Sequence, residues 1–334
     1  MSTPAPAKLA LVVTGGTITA LAADPFEVLD YGQAGALTAA DLLARAPGLA
    51  GDAEIVPVDF AALPSFDIYH PEWRRLLRLL HELHAAHPDL SGIVLTHGTG
   101  ALEETAFMLS LVWDLPIPLA LTGAQRPASA LGSDGWMNLA QALRLVQQAD
   151  ATKLGVTVIA NGEIHLATDV VKTSNLGLDT FMSPELGPVG LFAGLQPRLL
   201  RLPATRGSLQ GRFPGALDRV LPRVDIVYCH SGGDAVAIEA FIAAGARGIV
   251  LAGFAPGYAT SVQAKRLADW IEEENGIVVH SSRAFGLSVH NSRNAGHGFL
   301  PSGRFPPAKA RLLLQLGLQA RLARKEIGDL FAEH

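Results

Sequence analysis

Short apolar, β-branched runs alternate along the chain with longer stretches in which apolar residues return every three or four positions. Residues 9–13, 54–58, 93–96, 118–121 and 156–160 predict buried parallel strands. Between them, residues 71–87 set Trp73, Leu76, Leu77, Leu80 and Leu83 on one helical face with proline in the first turn. Residues 101–113 and 135–148 predict further helices. After Phe192 the periodicity fades into Arg, Pro and Gly through Pro222, which predicts a connection between domains. A second series follows, with strands near 224–229, 248–252 and 276–280 and helices near 235–244 and 261–275. The last stretch, 307–331, is strongly helical, and Gly317 and Gly328 are the expected places for it to break.

This alternation predicts an α/β protein with parallel-rich open sheets flanked by helices, of the flavodoxin or Rossmann kind. At 334 residues the chain exceeds one ordinary core and suits two. We place an N-terminal α/β domain at 1–200, a linker at 201–222 and a C-terminal α/β domain at 223–334. Open sheets of this kind bind ligands in the loops beyond the carboxyl ends of their strands, so those loops are where chemistry is sought.

Composition narrows the possibilities. The chain is 49% hydrophobic and 17% charged, with 34 glycines and 21 prolines, which fits a globular α/β protein rich in tight loops. A net charge of −5 without a basic stripe argues against a nucleic-acid partner. The single cysteine, Cys229, has no partner for an internal disulfide and sits in an apolar run, as a small buried thiol does. Only five apolar residues precede Thr14, too few for the hydrophobic stretch of a signal peptide, and no run approaches the ~20 residues of a spanning helix. The expectation is a cytoplasmic protein with no membrane partner.

Two loops stand out at the ends of predicted strands. Thr14-Gly15-Gly16-Thr17-Ile18 follows the first, where glycines let backbone N–H groups approach a ligand while two hydroxyls share the space. A Gly-Gly turn before threonine is also simply a common turn. Thr96-His97-Gly98-Thr99-Gly100 follows the third and opens a helix, so an anion there meets free N–H groups and the positive helix end. Alternatively, Thr99 caps that helix, with Glu103 and Glu104 in its first turns. A hydroxyl nucleophile needs a base or a cation beside it. Lys172, in an apolar and small-residue setting after a strand, is a candidate, and a solvated surface lysine is the competing reading. The histidines at 97, 165, 230, 280, 290 and 297 show no metal-ligand spacing, and neither metal nor cofactor is called for.

Taken in order, Thr14-Gly15-Gly16-Thr17-Ile18, Thr96-His97-Gly98-Thr99 with Leu102-Glu103-Glu104-Thr105, Leu121-Thr122-Gly123-Ala124-Gln125-Arg126-Pro127, Lys172-Thr173, and Ser281-Ser282-Arg283 followed by His297-Gly298-Phe299 resemble the bacterial-type L-asparaginases and glutaminases. The resemblance runs from about residue 8 to the C-terminus. It implies an amide hydrolase in which Thr17 is the nucleophile on a mobile loop and Tyr31 activates it. Thr99 and Lys172 form a second pair that orients water or the nucleophile and relays a proton. Ser65 binds the substrate carboxylate, with backbone groups near Gly16 and Gly98 helping. It also implies homodimers or homotetramers.

The sequence departs from the family where a substrate ammonium is gripped. Gly100 stands where Asp is usual, Phe66 where Gln is common, Asn291 near the position of a Glu reached from a neighbouring subunit, and Tyr258 where a loop Asn is common. Each change removes a partner for a cation, and a buried unpaired ammonium costs several kcal/mol. The expected substrate is therefore a small amide, lactam or imide without a free α-ammonium, its apolar part resting on Phe66. Two alternatives stand beside this: a divergent L-asparaginase holding the ammonium through Asp67, Asp30 or Glu27, and a non-catalytic amide or amino-acid sensor.

Overall fold

The first apolar run becomes an interior strand of a sheet because both its faces have something to cover them. In the computed structural model, which describes residues 6–203 and 209–332, the chain divides into two units, Met1–Pro214 and Gly215–His334. In the first unit, β1 (Lys8–Val13) pairs in parallel with β2 (Glu54–Asp59) on one side and β3 (Leu90–Thr96) on the other. Beyond β3 come β4 (Leu119–Thr122) and β5 (Val156–Ala160), also parallel. The sheet then changes sense: β6 (Glu163–Leu166) runs antiparallel to β5. A separate ribbon of β7 (Val171–Lys172) and β8 (Phe181–Met182) intervenes before β9 (Gly190–Ala193) and β10 (Gln196–Leu199) complete the sheet. The spatial order is β10-β9-β6-β5-β4-β3-β1-β2.

Helices cover the sheet where the apolar periodicity requires it. These are α1 (Ala39–Arg45), α2 (His70–Ala86), α3 (Leu102–Val112), α4 (Gly135–Leu145) and the single turn α5 (Ala151–Leu154). Leu9, Leu11 and Val13 of β1 share one core with Leu42 of α1 and Leu139 and Leu143 of α4. Burying each such side chain stabilises the fold by about 1.5–3 kcal/mol. α2 buries Trp73, Leu76, Leu77 and Leu80, while α3 is buried along almost its whole length.

Two expectations need adjustment here. β2 is parallel but forms an edge, half exposed, and Pro57 within it is tolerated because an edge strand leaves some N–H positions unpaired. The Arg/Pro/Gly-rich stretch after Phe192 holds more structure than its composition predicts. It supplies edge strand β10, and farther on Gly211 and Phe213 donate backbone hydrogen bonds to Ser110 and Leu111 at 2.9 Å, with Leu209 and Phe213 buried. Residues 204–208 of the expected linker lie outside the described residues.

The second unit is a parallel sheet of β11 (Val224–Tyr228), β12 (Gly248–Gly253), β13 (Ile277–Ser282) and the short β14 (Leu300–Pro301), in that order. Its helices are α6 (Val236–Ala243), α7 (Ser261–Glu274), α8 (Ser292–Gly296), α9 (Pro307–Gln319) and α10 (Arg324–Ala332). Thr260 and Gln263 form a capping box at the start of α7, satisfying two N–H groups that helix geometry leaves free. The C-terminal helical stretch breaks at Arg321, in the left-handed region at φ 58°, and at neither glycine. Gly317 stays helical, and a Cβ there would meet Ile327 and Leu330 of α10 at 3.4 and 3.5 Å, so it serves close packing of the two helices. Among the described residues no helix is long and apolar enough to cross a membrane.

Gly276, just before β13, lies against the buried Trp270 indole, and a Cβ there would sit 2.5 Å from two ring carbons. A rigid ring cannot yield as a flexible side chain does. Gly276→Ala is expected to lower unfolding free energy by about 1–3 kcal/mol, measured by urea denaturation.

Candidate active site

The loops after β1 and β3 meet because neither carries a side chain at the point of contact. Gly16 adopts φ 87°, and a Cβ on it would lie 2.6 Å from both Cα and N of Gly98. The β1 loop is closed by Thr19, whose N–H and hydroxyl both donate to the Gly16 carbonyl at 3.0 and 2.9 Å. Thr14 ties the strand ends together by donating its hydroxyl to the Thr96 carbonyl at 2.9 Å. Thr17 is thereby held half-buried at the carboxyl end of the sheet, where the topology predicts a ligand site.

Residues 21–36 fold back over it. Leu21 N–H donates to Gly35 and Gly32 N–H to Leu21, at 3.0 and 2.9 Å, while Ala22 N–H donates to the Ser129 hydroxyl at 2.8 Å. This closed loop puts the Tyr31 hydroxyl 2.8 Å from Thr17 Oγ1.

Thr99 is not a helix cap: the residue at that position of α3 is Ala101, which makes no side-chain bond. The Thr99 hydroxyl instead donates to Gln125 Oε1 at 2.9 Å and accepts from Lys172 Nζ at 2.8 Å. Lys172 Nζ also donates to Gln125 Oε1, at 3.1 Å. Burial pushes the Lys172 amine below its ordinary range, offset in part by the Glu103 carboxylate of α3. Glu103 also accepts the backbone N–H of Lys172 at 2.6 Å.

His97 sits fully buried behind these loops in a directed chain of hydrogen bonds. Trp73 Nε1 donates to Thr105 Oγ1 at 2.9 Å, and Thr105 lies 3.0 Å from His97 Nε2. His97 Nδ1 is 2.9 Å from the Gly98 carbonyl, which only accepts, so Nδ1 carries the proton and Nε2 takes the Thr105 hydroxyl. The ring is thus neutral and fixes the carbonyl of the glycine that touches Gly16.

A cavity of about 650 Å³ opens between the loops, lined by Gly16, Thr17, Tyr31, Ser65, Phe66, Gly98, Thr99 and Gly100 among others. None of its lining residues carries a formal charge. Ser65 begins a turn of 3-10 helix (Ser65–Asp67) and is buried, whereas Phe66 is 76% exposed. At Gly100 a Cβ would stand 3.0 Å from Ser65 Oγ. Of the residues singled out in the sequence, Lys172 reaches the cavity through Thr99. Asn291 lies on the second unit, where its side chain caps α8 by accepting from Asn294 N–H at 2.9 Å. Tyr258, on the same unit, lies under the Arg293 guanidinium at 5.3 Å.

Sequence reasoning gave no role to Gln125 or to Asp134. Asp134 accepts the backbone N–H of Gln125 at 3.0 Å and of Arg126 at 3.0 Å, and the Asn138 amide at 3.2 Å, so it shapes the loop after β4. Membership of the Leu121–Pro127 motif was the only signal for Gln125 in the sequence.

Comparison with known proteins assigns the chain to a family. The family model described as asparaginase, N-terminal, matches residues 8–204, and that of the glutaminase/asparaginase C-terminal domain matches 223–331. A probable periplasmic L-asparaginase of Haemophilus influenzae is 31% identical over 98% of this chain and 93% of its own length. A glutaminase-asparaginase of Pseudomonas fluorescens is likewise 31% identical, over 98% and 91%. The crystal structure of a probable cytoplasmic L-asparaginase from Campylobacter jejuni superposes with a TM-score of 0.90 at 31% identity, covering 98% of this chain and 99% of that one. The chain belongs to the asparaginase/glutaminase family. It is an amidohydrolase, acting on the C–N bonds of amides.

Burial pushes the His97 imidazole down to about 4 from an ordinary 6.5. Its contribution to stability is whole above pH 6.5 and is lost as pH falls towards 4, because only the unfolded chain takes up the proton in that window. Wild type is expected to lose about 3 kcal/mol more unfolding free energy than His97→Gln between pH 8 and pH 4, measured by urea denaturation.

Proposed function

We propose that this chain is a threonine-dependent amidohydrolase whose substrate is a small amide, lactam or imide lacking a free α-ammonium group. The observation that carries the specificity is the uncharged cavity wall around the two hydroxyls. An ammonium transferred there without a carboxylate costs several kcal/mol, enough to outweigh the other contacts of a small substrate. Of the carboxylates in reach of the usual Asp's role, Glu27 is occupied by the N–H groups of Leu29 and Asp30 at 2.7 and 2.8 Å, and none of Glu27, Asp30 and Asp67 lines the cavity.

In this reading Thr17 Oγ adds to the acyl carbon. Its proton passes along the 2.8 Å hydrogen bond to the Tyr31 oxygen, whose own proton goes to the departing nitrogen. The C–N bond breaks, leaving an acyl ester on Thr17; water then adds to the acyl carbon, its proton relayed by Thr99 and Lys172 and returned to the Thr17 oxygen as the ester bond breaks and the acid leaves. Backbone N–H groups beside Gly16 and Gly98 receive the developing oxyanion, a role worth about 3 kcal/mol per donor in enzymes generally. Ser65 holds a substrate carboxylate or carbonyl, and Phe66 supports an apolar substituent. The proposal includes self-association as a homodimer or homotetramer.

A second reading is a divergent L-asparaginase, favoured by the names of the relatives in Haemophilus and Pseudomonas. The two readings separate on a panel of amides, lactams and imides. The best non-amino substrate is expected to exceed L-asparagine at least tenfold in kcat/KM, and a smaller ratio returns the chain to the asparaginases. Thr17→Val is expected to lower kcat at least about 10³-fold while the protein stays folded by circular dichroism. Full-speed hydrolysis in that variant would overturn the mechanism, and a wild type that binds amides without turning any over would leave a sensor.

Position 100 offers a separate check. Gly100→Asp restores a carboxylate next to Ser65, whose hydroxyl must give by a few tenths of an ångström to admit the Cβ. L-Asparagine turnover is expected to rise about tenfold or more. If kcat/KM for asparagine does not change, ammonium recognition is not decided at this residue.

A further inference from the structure

The Thr99–Lys172 pair is a trio. Nζ of Lys172, Oγ1 of Thr99 and Oε1 of Gln125 form a triangle with edges of 2.8, 2.9 and 3.1 Å. The single proton of the Thr99 hydroxyl points at Gln125, and both lone pairs of the Gln125 oxygen are engaged, one by Thr99 and one by Lys172. Gln125 cannot exchange its oxygen and nitrogen without loss. Its Nε2 donates to the Asn175 carbonyl at 3.0 Å, an atom that only accepts. Its backbone N–H is held by Asp134. The side chain is thus fixed at both ends, with a carbonyl dipole aimed at the lysine.

We propose that Gln125 is a positioning residue for the Thr99–Lys172 pair: its side-chain carbonyl orients the Thr99 hydroxyl and sets the proton affinity of the Lys172 amine. Two physical effects follow from the geometry. A carbonyl oxygen 3.1 Å from Nζ solvates the ammonium form, replacing part of the water that burial removes. The same oxygen holds the Thr99 proton away from Nζ. Transfer from Thr99 to a neutral Lys172 therefore begins with rotation of one hydroxyl, while Gln125 stays bonded to Nζ. The charged groups around Nζ are few. Glu103 faces it from α3, Asp134 stands behind Gln125 at the start of α4, and Asp169, three residues earlier in the chain, is 3.6 Å from Arg201. A neutral amide at position 125 leaves Glu103 as the carboxylate that acts on the lysine directly.

This inference rests on the reading of Thr99 and Lys172 as a proton-relaying pair, and the experiment keeps the two apart. The pH dependence of kcat and of KM is measured for wild type, Gln125→Glu, Gln125→Met and Lys172→Met on the best substrate of the panel. Gln125→Glu puts a carboxylate on the triangle and is expected to move the acid limb of the kcat profile up by about one pH unit or more. Activity should return towards alkaline pH. Gln125→Met keeps the length, removes the acceptor, and is expected to move the same limb down while kcat at its plateau falls about tenfold or more, with KM changed less than threefold. Thermal unfolding of both variants reports whether they fold. If folded Gln125→Glu and Gln125→Met both leave the acid limb where wild type has it, while Lys172→Met is inactive, Gln125 is only structural and the proposal fails. If Lys172→Met retains wild-type activity, the pair itself is discarded and this inference with it.

Discussion

The contact on which the site depends is the approach of two backbones, Gly16 and Gly98. At the separation observed no side chain fits on Gly16, and its φ of 87° is one that residues with a Cβ rarely adopt. That closeness puts Thr17, one residue after Gly16, and Thr99, one residue after Gly98, on the wall of one cavity. Gly98 is held from behind by the Trp73, Thr105 and His97 chain, and a neutral buried imidazole suits that task because it donates at one nitrogen and accepts at the other. The two threonine hydroxyls are carried by turns, yet the turns are fixed by a parallel sheet and a buried helix.

Electrostatics divides between the cavity and its rear wall. Lys172 lies behind Thr99, linked to it and to Gln125 and facing the carboxylate of Glu103. Partial burial favours the neutral amine, and the Glu103 carboxylate opposes it in part. For the proton relay proposed here such opposed influences matter, because burial alone or a carboxylate alone would hold a lysine in one state.

Much of this architecture was legible in the sequence. Strands β1, β3, β4 and β5 are continuous apolar runs because both faces of a central parallel strand are covered, and α2 shows its apolar stripe plainly. The antiparallel strands β6, β9 and β10 were not, since strands of four residues at a sheet margin carry mixed burial and resemble loops. The C-terminal break escaped because glycine inside a helix is tolerated where a neighbouring helix needs the space, while Arg321 turned the chain without glycine's help. In the site, the hydroxyls and the lysine were visible as motifs. Gln125 was visible only as a member of one and Asp134 not at all, and the role of neither could be read, because it consists of hydrogen bonds to residues up to 50 positions away that no local pattern records.

The division of charge bears on what can enter. With no ionised group on the lining, the field in the cavity proposed here comes from the backbone dipoles of its loops, from the positive end of α3 and from whatever charge Lys172 carries behind Thr99. All three favour a negative or polarised group and disfavour a cation. In the proposed reading a carboxylate at position 100 would cancel that bias locally and let an amino acid bind with its ammonium paired, whereas Gly100 leaves it uncancelled; the space a side chain would take there is bounded by the hydroxyl of Ser65. The same field that stabilises an oxyanion on an acyl carbon therefore selects against a substrate ammonium, so catalysis and specificity in this reading have one electrostatic origin.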